Sequence, residues 1–473
     1  MLSLPEFLAV RCLLWLRWQE HSVSKNRYWQ VLARLPCAVL QEFLHWRERS
    51  YRLRFRNFGS ALADLRIGSQ SSQGVLLMVG TLGPGGAERQ AVITLLGLAQ
   101  RGVHPLAMTA MYLGSDIERF FLPRLEAAGL SITELDRDAT RETTPSLRSL
   151  KNAMGELPHR LAEVRSFART LLKYSPEVAH LWLDEVNVKG GLAAVATGVP
   201  RIVLHVRSLP PYNFALYKSY MLEAYRWLAA QSTVRLVANS LAGACAYEEW
   251  IGLPRGCIHV IHNGFDFDED LSPVHVKQRS SYRERHAIPP DATVVGTVLR
   301  FSAEKRPRLW AEIAERIARA LPDAHFLMVG DGFLRPGIAR RARGELAGRL
   351  HVVGYEMQAL AAIASMDLFL LTSRVEGLPN VLIEAQALGV PVVTTAAGGA
   401  VETLAHGRTG WILADDNPVA AAETIVRLLD DKAWLQRASA EAPEFVRERF
   451  SVERMLDETL RVYDHESGAS QQG

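Results

Sequence analysis

The sequence predicts an α/β fold of two doubly wound parallel sheets, preceded by a helical N-terminal extension. Short, continuous apolar segments are typical of strands buried on both faces, and here they alternate with helical segments. The alternation occurs twice, in residues 74–262 and again in residues 292–430. The length of 473 residues is sufficient for two to three domains.

Residues 1–72 are predicted to form a basic helical extension that ends in a linker. Between residues 1 and 66, 11 Lys and Arg against 5 Asp and Glu give a local balance of 11 − 5 = +6. Segments 13–18 and 39–46 have helical patterns, and 68–74 is rich in Gly and Ser. Four of the ten tryptophans are also here: Trp15, Trp18, Trp29 and Trp46. Such helices can bind an anionic membrane surface or pack on the main body, and the sequence leaves both open.

The first sheet is predicted within residues 73–262. Its expected strands are 74–79, 104–111, 178–182, 201–206 and 235–239. The first strand leads into Gly80-Thr-Leu-Gly-Pro-Gly-Gly-Ala-Glu-Arg89, where a helix begins. Glycine lets the backbone approach a ligand closely, and a helix N-terminus favours phosphate. Glu88 occupies the third glycine position of a dinucleotide fingerprint, and no Walker Gly-Lys-Ser/Thr follows. A tight turn without a ligand is the alternative.

A charged, proline-containing segment, 263–291, is predicted to link the two sheets. The second sheet is expected within residues 292–450, and residues 451–473 are expected to form a helix that returns to the first domain, followed by a tail. The expected strands of the second sheet are 294–299, 324–329, 350–353, 367–371 and 390–394.

The most informative motif is a pair of glutamates, Glu376 and Glu384, in a strand–loop–helix segment. The loop 377–380 ends at a predicted helix N-terminus, whose free amides suit an anion. The two carboxylates can accept hydrogen bonds from sugar or ribose hydroxyls. Anion donors and hydroxyl acceptors in one loop predict a nucleotide-sugar site.

Two cations, Arg300 and Lys305, follow the predicted strand 294–299. Cations beyond the carboxyl end of a parallel strand are placed to hold a diphosphate. Ordinary solvated charge is the alternative, and the glutamate loop in the same half of the chain makes it the weaker one.

Composition and charge argue against several other classes of protein. The net charge of +3 does not suggest a nucleic-acid partner, and no apolar run reaches the roughly 18 residues that span a bilayer. Glu6 precedes the first apolar run and Arg11 and Arg17 interrupt it, which is unlike a signal peptide. The cysteines lack metal-site spacing and indicate a reducing cytoplasm: Cys12, Cys37, Cys245 and Cys257. We therefore expect a cytoplasmic protein, peripheral on the inner face of the membrane if its extension binds lipid.

Taken in order, these motifs resemble the family 4 glycosyltransferases of the GT-B fold, retaining enzymes that use nucleotide sugars. The resemblance covers about residues 74–465. It rests on the Gly-Gly-Ala-Glu-Arg loop, the Arg-x4-Lys pair and the glutamate pair, with weaker matches at 237–240, 261–264, 329–332 and 398–402. It implies two Rossmann-like domains facing a cleft, the first for the acceptor and the second for the donor.

The resemblance also implies roles for the charged residues. Arg300 and Lys305 would hold the donor diphosphate, Glu376 would touch the donor sugar, and Glu384 would bind the ribose. His205, at the end of a first-domain strand, would lie near the transferred sugar, although a histidine satisfied by the core is the alternative. Arg300, Lys305, Glu376 and His205 form the expected catalytic set.

Further substrate contacts are implied for backbone positions. The predicted set is Gly85, Gly86, Gly332, Gly377, Leu378, Pro379, Asn380 and Val381. Neither a cofactor nor a metal is expected, since the two cations can stabilise the leaving diphosphate. Asp266-Phe-Asp268 matches a metal-binding pattern of another transferase fold, but it lies in the predicted linker and is expected to be solvated.

The identity of the substrates stays open in the sequence. UDP-sugar is the most frequent donor in the family, with GDP-sugar next, and a glycan or lipid-linked acceptor is expected. Acceptor specificity is assigned to loops 112–124, 137–149 and 207–220. The alternatives are a catalytically silent scaffold subunit and a nucleotide-sugar 2-epimerase; nothing supports a phosphorylase.

Overall fold

The computed structural model of the protein describes residues 37–63, 73–137, 145–214, 217–267, 278–341, 344–356 and 359–464. Several sequence predictions fall outside these residues: the helix at 13–18, Trp15, Trp18, Trp29, Cys12, the linker at 68–72 and Asp268.

The first domain contains a seven-stranded sheet in the order β3-β2-β1-β4-β5-β6-β7. Its strands are β1 Val75–Val79, β2 Leu106–Ala110, β3 Ser131–Glu134, β4 Val178–Trp182, β5 Arg201–Val206, β6 Val234–Ala238 and β7 His259–Val260. All its ladders are parallel. The five strands expected from the sequence are present. The two edge strands were not expected, because β3 is partly exposed and polar and β7 has two residues.

The second domain contains a six-stranded parallel sheet in the order β10-β9-β8-β11-β12-β13. Its strands are β8 Val294–Val298, β9 His325–Val329, β10 Leu350–Val353, β11 Leu368–Leu371, β12 Val392–Thr394 and β13 Gly410–Ile412. The short edge strand β13 is the one that the sequence analysis missed. The predicted class of two doubly wound parallel sheets is confirmed.

Both sheets reverse their strand order next to their first strand. The reversal lies between β1 and β4 in the first sheet and between β8 and β11 in the second. Ligands of open α/β sheets bind beyond the carboxyl ends of the strands at such points. The loops that follow β1, β8 and β11 are the glycine loop, the Arg300–Lys305 segment and the Glu376 loop.

Helices cover both faces of each sheet. Those of the first half are α1 Cys37–Ala63, α2 Gly86–Gln100, α3 Leu122–Ala127, α4 Pro145–Met154, α5 Val164–Tyr174, α6 Asp184–Ala196, α7 Met221–Ala229 and α8 Leu241–Ile251. Those of the second half are α9 Gln278–Arg285, α10 Pro307–Ala320, α11 Arg335–Arg341, α12 Ala359–Ala364, α13 Asn380–Ala387, α14 Pro418–Asp430, α15 Lys432–Phe450 and α16 Val452–Asp464.

Helix α1 belongs to the N-terminal extension and packs on the first domain. The expected helix at 39–46 continues through the arginines that follow it. Phe55 and Phe58 are buried in the first-domain core, and the Phe58 ring lies 5.3 Å from that of Trp227. Packing on the main body is therefore correct for this helix. Trp46 is not a core residue, however, since 61% of it is exposed.

Two further segments attach to the domains. Residues 278–291, which the sequence analysis assigned to the linker, include α9, whose Arg283 donates to the carbonyl oxygen of Ser365 (2.9 Å) and to Asp367 (2.9 Å) of the second domain. Helix α16 packs against α2, where a side chain at Gly97 would clash with Leu456. Within the described ranges, no helix is both long and apolar enough to cross a bilayer.

Candidate functional site

Lys305 and Glu376 form an ion pair that joins two loops of the second domain. Lys305 ends the 3₁₀ turn Ala303–Lys305, which lies in the segment after β8, and Glu376 lies in the loop between β11 and α13. The Lys305 Nζ to Glu376 Oε1 distance is 2.5 Å, and Glu376 is buried. The predicted diphosphate-binding and sugar-binding groups are thus brought together.

Arg300 lies at the rim of the same site. Its side chain is 71% exposed, and its Nη2 donates to Glu304 Oε1 at 2.8 Å. Ser302 Oγ donates to the same carboxylate oxygen at 2.5 Å. Burial would raise the pKa of Glu304, but the hydrogen bonds from Ser302 and Arg300 outweigh it and leave the pKa lowered. The Arg300 head therefore lies beside an anion and can turn towards solvent.

Glu384 lies on α13 and is paired across the domain boundary with Arg89 of α2. Glu384 is buried, whereas Arg89 is partly exposed. The predicted ribose-binding carboxylate is thus held by an arginine of the glycine-loop helix. Hydroxyl groups that bind Glu384 would have to share it with Arg89.

The glycine loop of the first domain contacts the loop before α13. Gly85 precedes α2 in an extended conformation, and Gly86 is its first residue. Asn380 Nδ2 donates to the Gly86 carbonyl oxygen at 3.3 Å. Leu378 and Pro379 complete the turn into α13, and the partly buried Val381 follows in its first turn. These predicted substrate-contacting positions lie together in the structure.

Two predicted glycines are required by the backbone around them. Gly377 lies against the Arg207 carbonyl oxygen of the first domain, and any side chain there would clash with it. Gly332 has φ +149° and faces the backbone of Phe301, where a Cβ would lie 2.7 Å from the carbonyl oxygen. Gly332 therefore supports the segment that carries Arg300 and Lys305.

His205 lies in the first-domain core at the end of β5, and both of its ring nitrogens have protein partners. Nδ1 lies 3.1 Å from His180 Nε2, and Nε2 lies 3.0 Å from Arg207 Nη1. His180 Nδ1 in turn lies 2.7 Å from the Tyr463 hydroxyl of α16. Burial lowers the pKa of His205 well below its ordinary value. The expected role near the transferred sugar remains a prediction, and the geometry matches the alternative of a satisfied core histidine.

Sequence reasoning missed a polar network at the domain boundary. Arg207 Nη2 donates to Asn263 Oδ1 at 2.6 Å, and Asn263 Nδ2 donates to the Leu378 carbonyl oxygen at 2.9 Å. Asn263 lies within the weaker family match at 261–264, but no pattern in the sequence indicates that its side chain contacts the second domain.

Glu402 provides a second connection between the domains. Its carboxylate accepts from the backbone amides of Leu241 and Ala242, both at 2.8 Å, at the N-terminus of α8. His262 Nε2 lies 3.3 Å from the same group. Burial would raise the pKa of Glu402, but the hydrogen bonds from His262 and these amides lower it overall. An anion at a helix N-terminus is stabilising, so this contact favours the closed cleft.

Two arginines act on the charge of Glu88 in the glycine-loop helix. Burial raises the pKa of Glu88, while the positive charges of Arg207 and Arg300 partly offset that rise. Both arginines are therefore close to the glycine loop, one from each domain. In the described part of the chain, no three His, Cys, Asp or Glu side chains are grouped so as to hold a metal ion.

The chain matches two family models that together cover most of its length. Residues 84–269 match the model described as Glycosyltransferase Family 4, and residues 292–431 match the one described as Glycosyl transferases group 1. A relative from Salmonella typhi, the Vi polysaccharide biosynthesis protein VipC/TviE, is 32% identical over 410 residues, covering 80% of this chain and 69% of the relative.

Two further comparisons agree. The Escherichia coli UDP-Gal:alpha-D-GlcNAc-diphosphoundecaprenol alpha-1,3-galactosyltransferase is 26% identical over 310 residues, covering 63% of this chain and 78% of that protein. The crystal structure of Anabaena Alr3699/HepE in complex with UDP and glucose superposes with a TM-score of 0.67 at 21% identity, covering 83% of this chain and 100% of that one. The latter match supports the fold. The two-sheet architecture, the facing loops and these matches together show that the chain belongs to the family 4 glycosyltransferases of the GT-B fold.

Proposed function

We propose that the protein transfers a sugar from a nucleotide sugar, with UDP-sugar as the first candidate, to a glycan or lipid-linked acceptor during polysaccharide assembly. The observation that carries this proposal is the meeting of three loops. The Lys305–Glu376 pair beyond β8 and β11 lies in one domain, and the glycine loop beyond β1 contacts the same region from the other. Cations for a diphosphate and carboxylates for hydroxyls are thereby collected at one cleft.

Names of the relatives support the substrate classes. The Salmonella relative is named for polysaccharide biosynthesis, and the Escherichia coli relative for a UDP-sugar donor and a diphosphate-linked lipid acceptor. The superposed Anabaena structure contains UDP and glucose. A UDP-sugar and a lipid-linked acceptor are therefore the first pair to test, with GDP-sugars next.

The proposed chemistry is transfer with retention and without a metal. The acceptor hydroxyl attacks the anomeric carbon from the side that the diphosphate leaves, and the leaving oxygen takes its proton. Lys305 and Arg300 stabilise the charge that develops on the diphosphate. Removing a single hydrogen-bond donor of this kind raises the barrier by about 2.7–4 kcal/mol in other enzymes. In this proposal Glu376, which is paired with Lys305, orients the sugar.

A peripheral membrane contact through the N-terminal extension is part of the proposal. Trp46, Arg49, Leu53 and Arg56 are exposed and lie on the side of α1 opposite the buried Phe55. Helical spacing of 3, 4 and 3 residues places these four side chains on one face. Apolar side chains interleaved with cations match the interface of an anionic bilayer. A lipid-linked acceptor would then be presented at the first domain.

Turnover tests the proposed function. The protein is incubated with labelled UDP- and GDP-sugars together with a lipid extract, and transfer of label to the lipid fraction is followed. The Glu376→Gln variant serves as the background control. Acceptor-dependent transfer that this variant lacks supports the proposal. A silent subunit would give no turnover with any donor, and an epimerase would convert the donor without an acceptor; either result would replace the proposal.

A further inference from the structure

Arg207 is a buried cation that directly follows β5 and lies at the boundary between the domains. Only 9% of it is exposed. Its contacts are neutral: Asn263 Oδ1 at 2.6 Å, His205 Nε2 at 3.0 Å, and the Trp182 ring, whose centroid lies 4.8 Å from the guanidinium carbon. Within the described residues no carboxylate lies within ion-pair distance of Arg207, although the charge of Glu88 acts on it, and its Nε has no hydrogen-bond partner. Because buried charges in proteins are usually paired, the Arg207 guanidinium is a candidate binding group for an anionic ligand.

The guanidinium is held in place by a chain of buried hydrogen bonds. Because a guanidinium only donates, His205 Nε2 must accept and its Nδ1–H donates to His180 Nε2. His180 Nδ1–H then donates to the Tyr463 hydroxyl oxygen on α16. The chain requires both histidines to be neutral, and burial favours that form by lowering the pKa of His180 to about 3. Tyr463, His180 and His205 therefore fix the position of Arg207 from behind.

Arg207 lies beside the loops of the predicted donor site. Its carbonyl oxygen lies against Gly377, and its partner Asn263 donates to the carbonyl oxygen of Leu378 at 2.9 Å. Its charge also acts on Glu88 of the glycine-loop helix, as that of Arg300 does. Burial lowers the pKa of Arg207 to about 9, which still leaves it charged at neutral pH. The cation therefore lies where the glycine loop meets the Glu376 loop.

We propose that Arg207 binds the diphosphate of the donor from the first domain, opposite Arg300 and Lys305, and that His205, His180 and Tyr463 are its positioning residues. The inference rests on the proposed function. An anionic acceptor, such as a lipid diphosphate, could offer the same phosphate chemistry. The donor is favoured because both loops beside Arg207 are those predicted to meet its phosphates.

The test compares nucleoside diphosphates with monophosphates. Calorimetric titration of the wild-type protein with UDP, GDP, UMP and GMP identifies the base and gives the ratio of diphosphate to monophosphate affinity. If the wild-type protein binds none of them, the proposed function fails together with the inference. If it binds a nucleoside diphosphate, the arginine variants test the inference alone.

Three variants carry the test. Arg207→Gln is expected to weaken diphosphate binding by about 10-fold or more while monophosphate affinity changes little, since a charge-assisted contact is lost. Arg207→Lys keeps the charge and is expected to lose less; it also serves if the glutamine variant unfolds. The control is Arg201→Gln on the same strand, where Arg201 pairs with the partly exposed Glu177 at 2.8 Å and should not affect either ligand.

The positioning residues and the competing anion source have separate readouts. Tyr463→Phe removes the hydroxyl that accepts from His180, and a several-fold fall in the diphosphate-to-monophosphate ratio is expected at unchanged monophosphate affinity. An unchanged ratio in Tyr463→Phe overturns the positioning role. If the ratio of diphosphate to monophosphate affinity is unchanged in both Arg207 variants, Arg207 does not contact the donor. If, in addition, these variants raise only the KM for the acceptor, the anion that Arg207 binds belongs to the acceptor.

Discussion

At the scale of single residues, each charged group predicted to bind the donor already has an ion-pair partner in the protein. Lys305 is paired with Glu376, Arg300 with Glu304, and Glu384 with Arg89. A diphosphate that binds these cations would therefore compete with carboxylates for them. Because Lys305 is fixed by Glu376 of a neighbouring loop, it would need little reorganisation when a substrate binds, whereas the exposed Arg300 is free to turn.

Replacing either donor-site cation by alanine is expected to lower transfer strongly while the protein stays folded. For Arg300→Ala and Lys305→Ala we expect kcat to fall by about 100- to 1,000-fold, since each contact strengthens as charge develops on the diphosphate. Arg319→Ala is the control, because that arginine is exposed on α10 and pairs with the exposed Glu345. Steady-state kinetics with thermal unfolding checks the prediction, and near-wild-type kcat in both variants would refute the diphosphate assignment.

Sequence patterns indicated the candidate residues that lie in one short segment. They missed residues whose contact partners are far away along the chain. The glutamate pair and Arg300 with Lys305 each lie within one short segment, so their spacing alone suggested a site. Arg207 and Asn263 are separated by 56 positions and meet only because β5 ends beside the domain boundary. No periodicity in the chain encodes that contact.

At the scale of elements, apolar runs located the central strands because these are buried on both faces. The edge strands β3 and β7 escaped because an edge strand needs little apolar surface and can be very short. The charge and proline content of the predicted linker likewise concealed α9, which is anchored by Arg279, Arg283 and the buried Tyr282 rather than by an apolar stripe.

The outward face of α1 is expected to bind anionic vesicles. Deleting the whole extension would also expose the first-domain core around Phe55 and Phe58, so charge reversal is the better test. Arg49→Glu with Arg56→Glu should reduce co-sedimentation with phosphatidylserine vesicles, because each nearby cation contributes about 1 kcal/mol. Arg235→Glu, on the first-domain sheet, is the control. Wild-type binding that is absent, or unchanged in the double variant, would contradict a docking role for this face.

The buried histidine chain that joins α16 to β4 and β5 predicts a pH dependence of stability. The pKa of His180 is lowered by burial to about 3 from 6.5, so the neutral form contributes stability that is complete above about pH 6.5 and is lost as the pH falls towards 3. A single such group changes the free energy of unfolding by up to about 1.4 kcal/mol per pH unit. His180→Gln should therefore unfold at a temperature that varies less between pH 7.5 and 5.5.

The exposed His159 provides the matched control for that series, because His159→Gln should retain the wild-type slope. Thermal unfolding of the three proteins at four pH values gives the comparison. If His180→Gln keeps the full slope, the buried histidine does not control acid stability.

At the scale of the whole molecule, polar contacts join the two domains alongside apolar ones such as the Phe120 and Tyr355 rings, whose centroids lie 6.4 Å apart. Asn263, Arg89 and Glu402 each bond across the boundary. Interfaces of this kind permit domains to open and close. The lowered pKa of Glu402 implies that its cap on α8 is present above its ordinary pKa and is lost as the pH falls through the lowered value. The architecture was predictable from the repeated strand–helix alternation, whereas these boundary contacts depend on the relative placement of two domains.

The central claim is that the sugar is transferred with retention of its anomeric configuration and that protein cations, not a metal, stabilise the leaving diphosphate. The configuration of the product tests this claim most directly. Transfer from the cognate nucleotide sugar is carried out in excess EDTA, and the anomeric coupling constant of the new linkage is read by NMR. From an α-linked donor we expect an α-linked product at an undiminished rate. A β-linked product, or activity that is lost in EDTA and restored by manganese, would contradict the account.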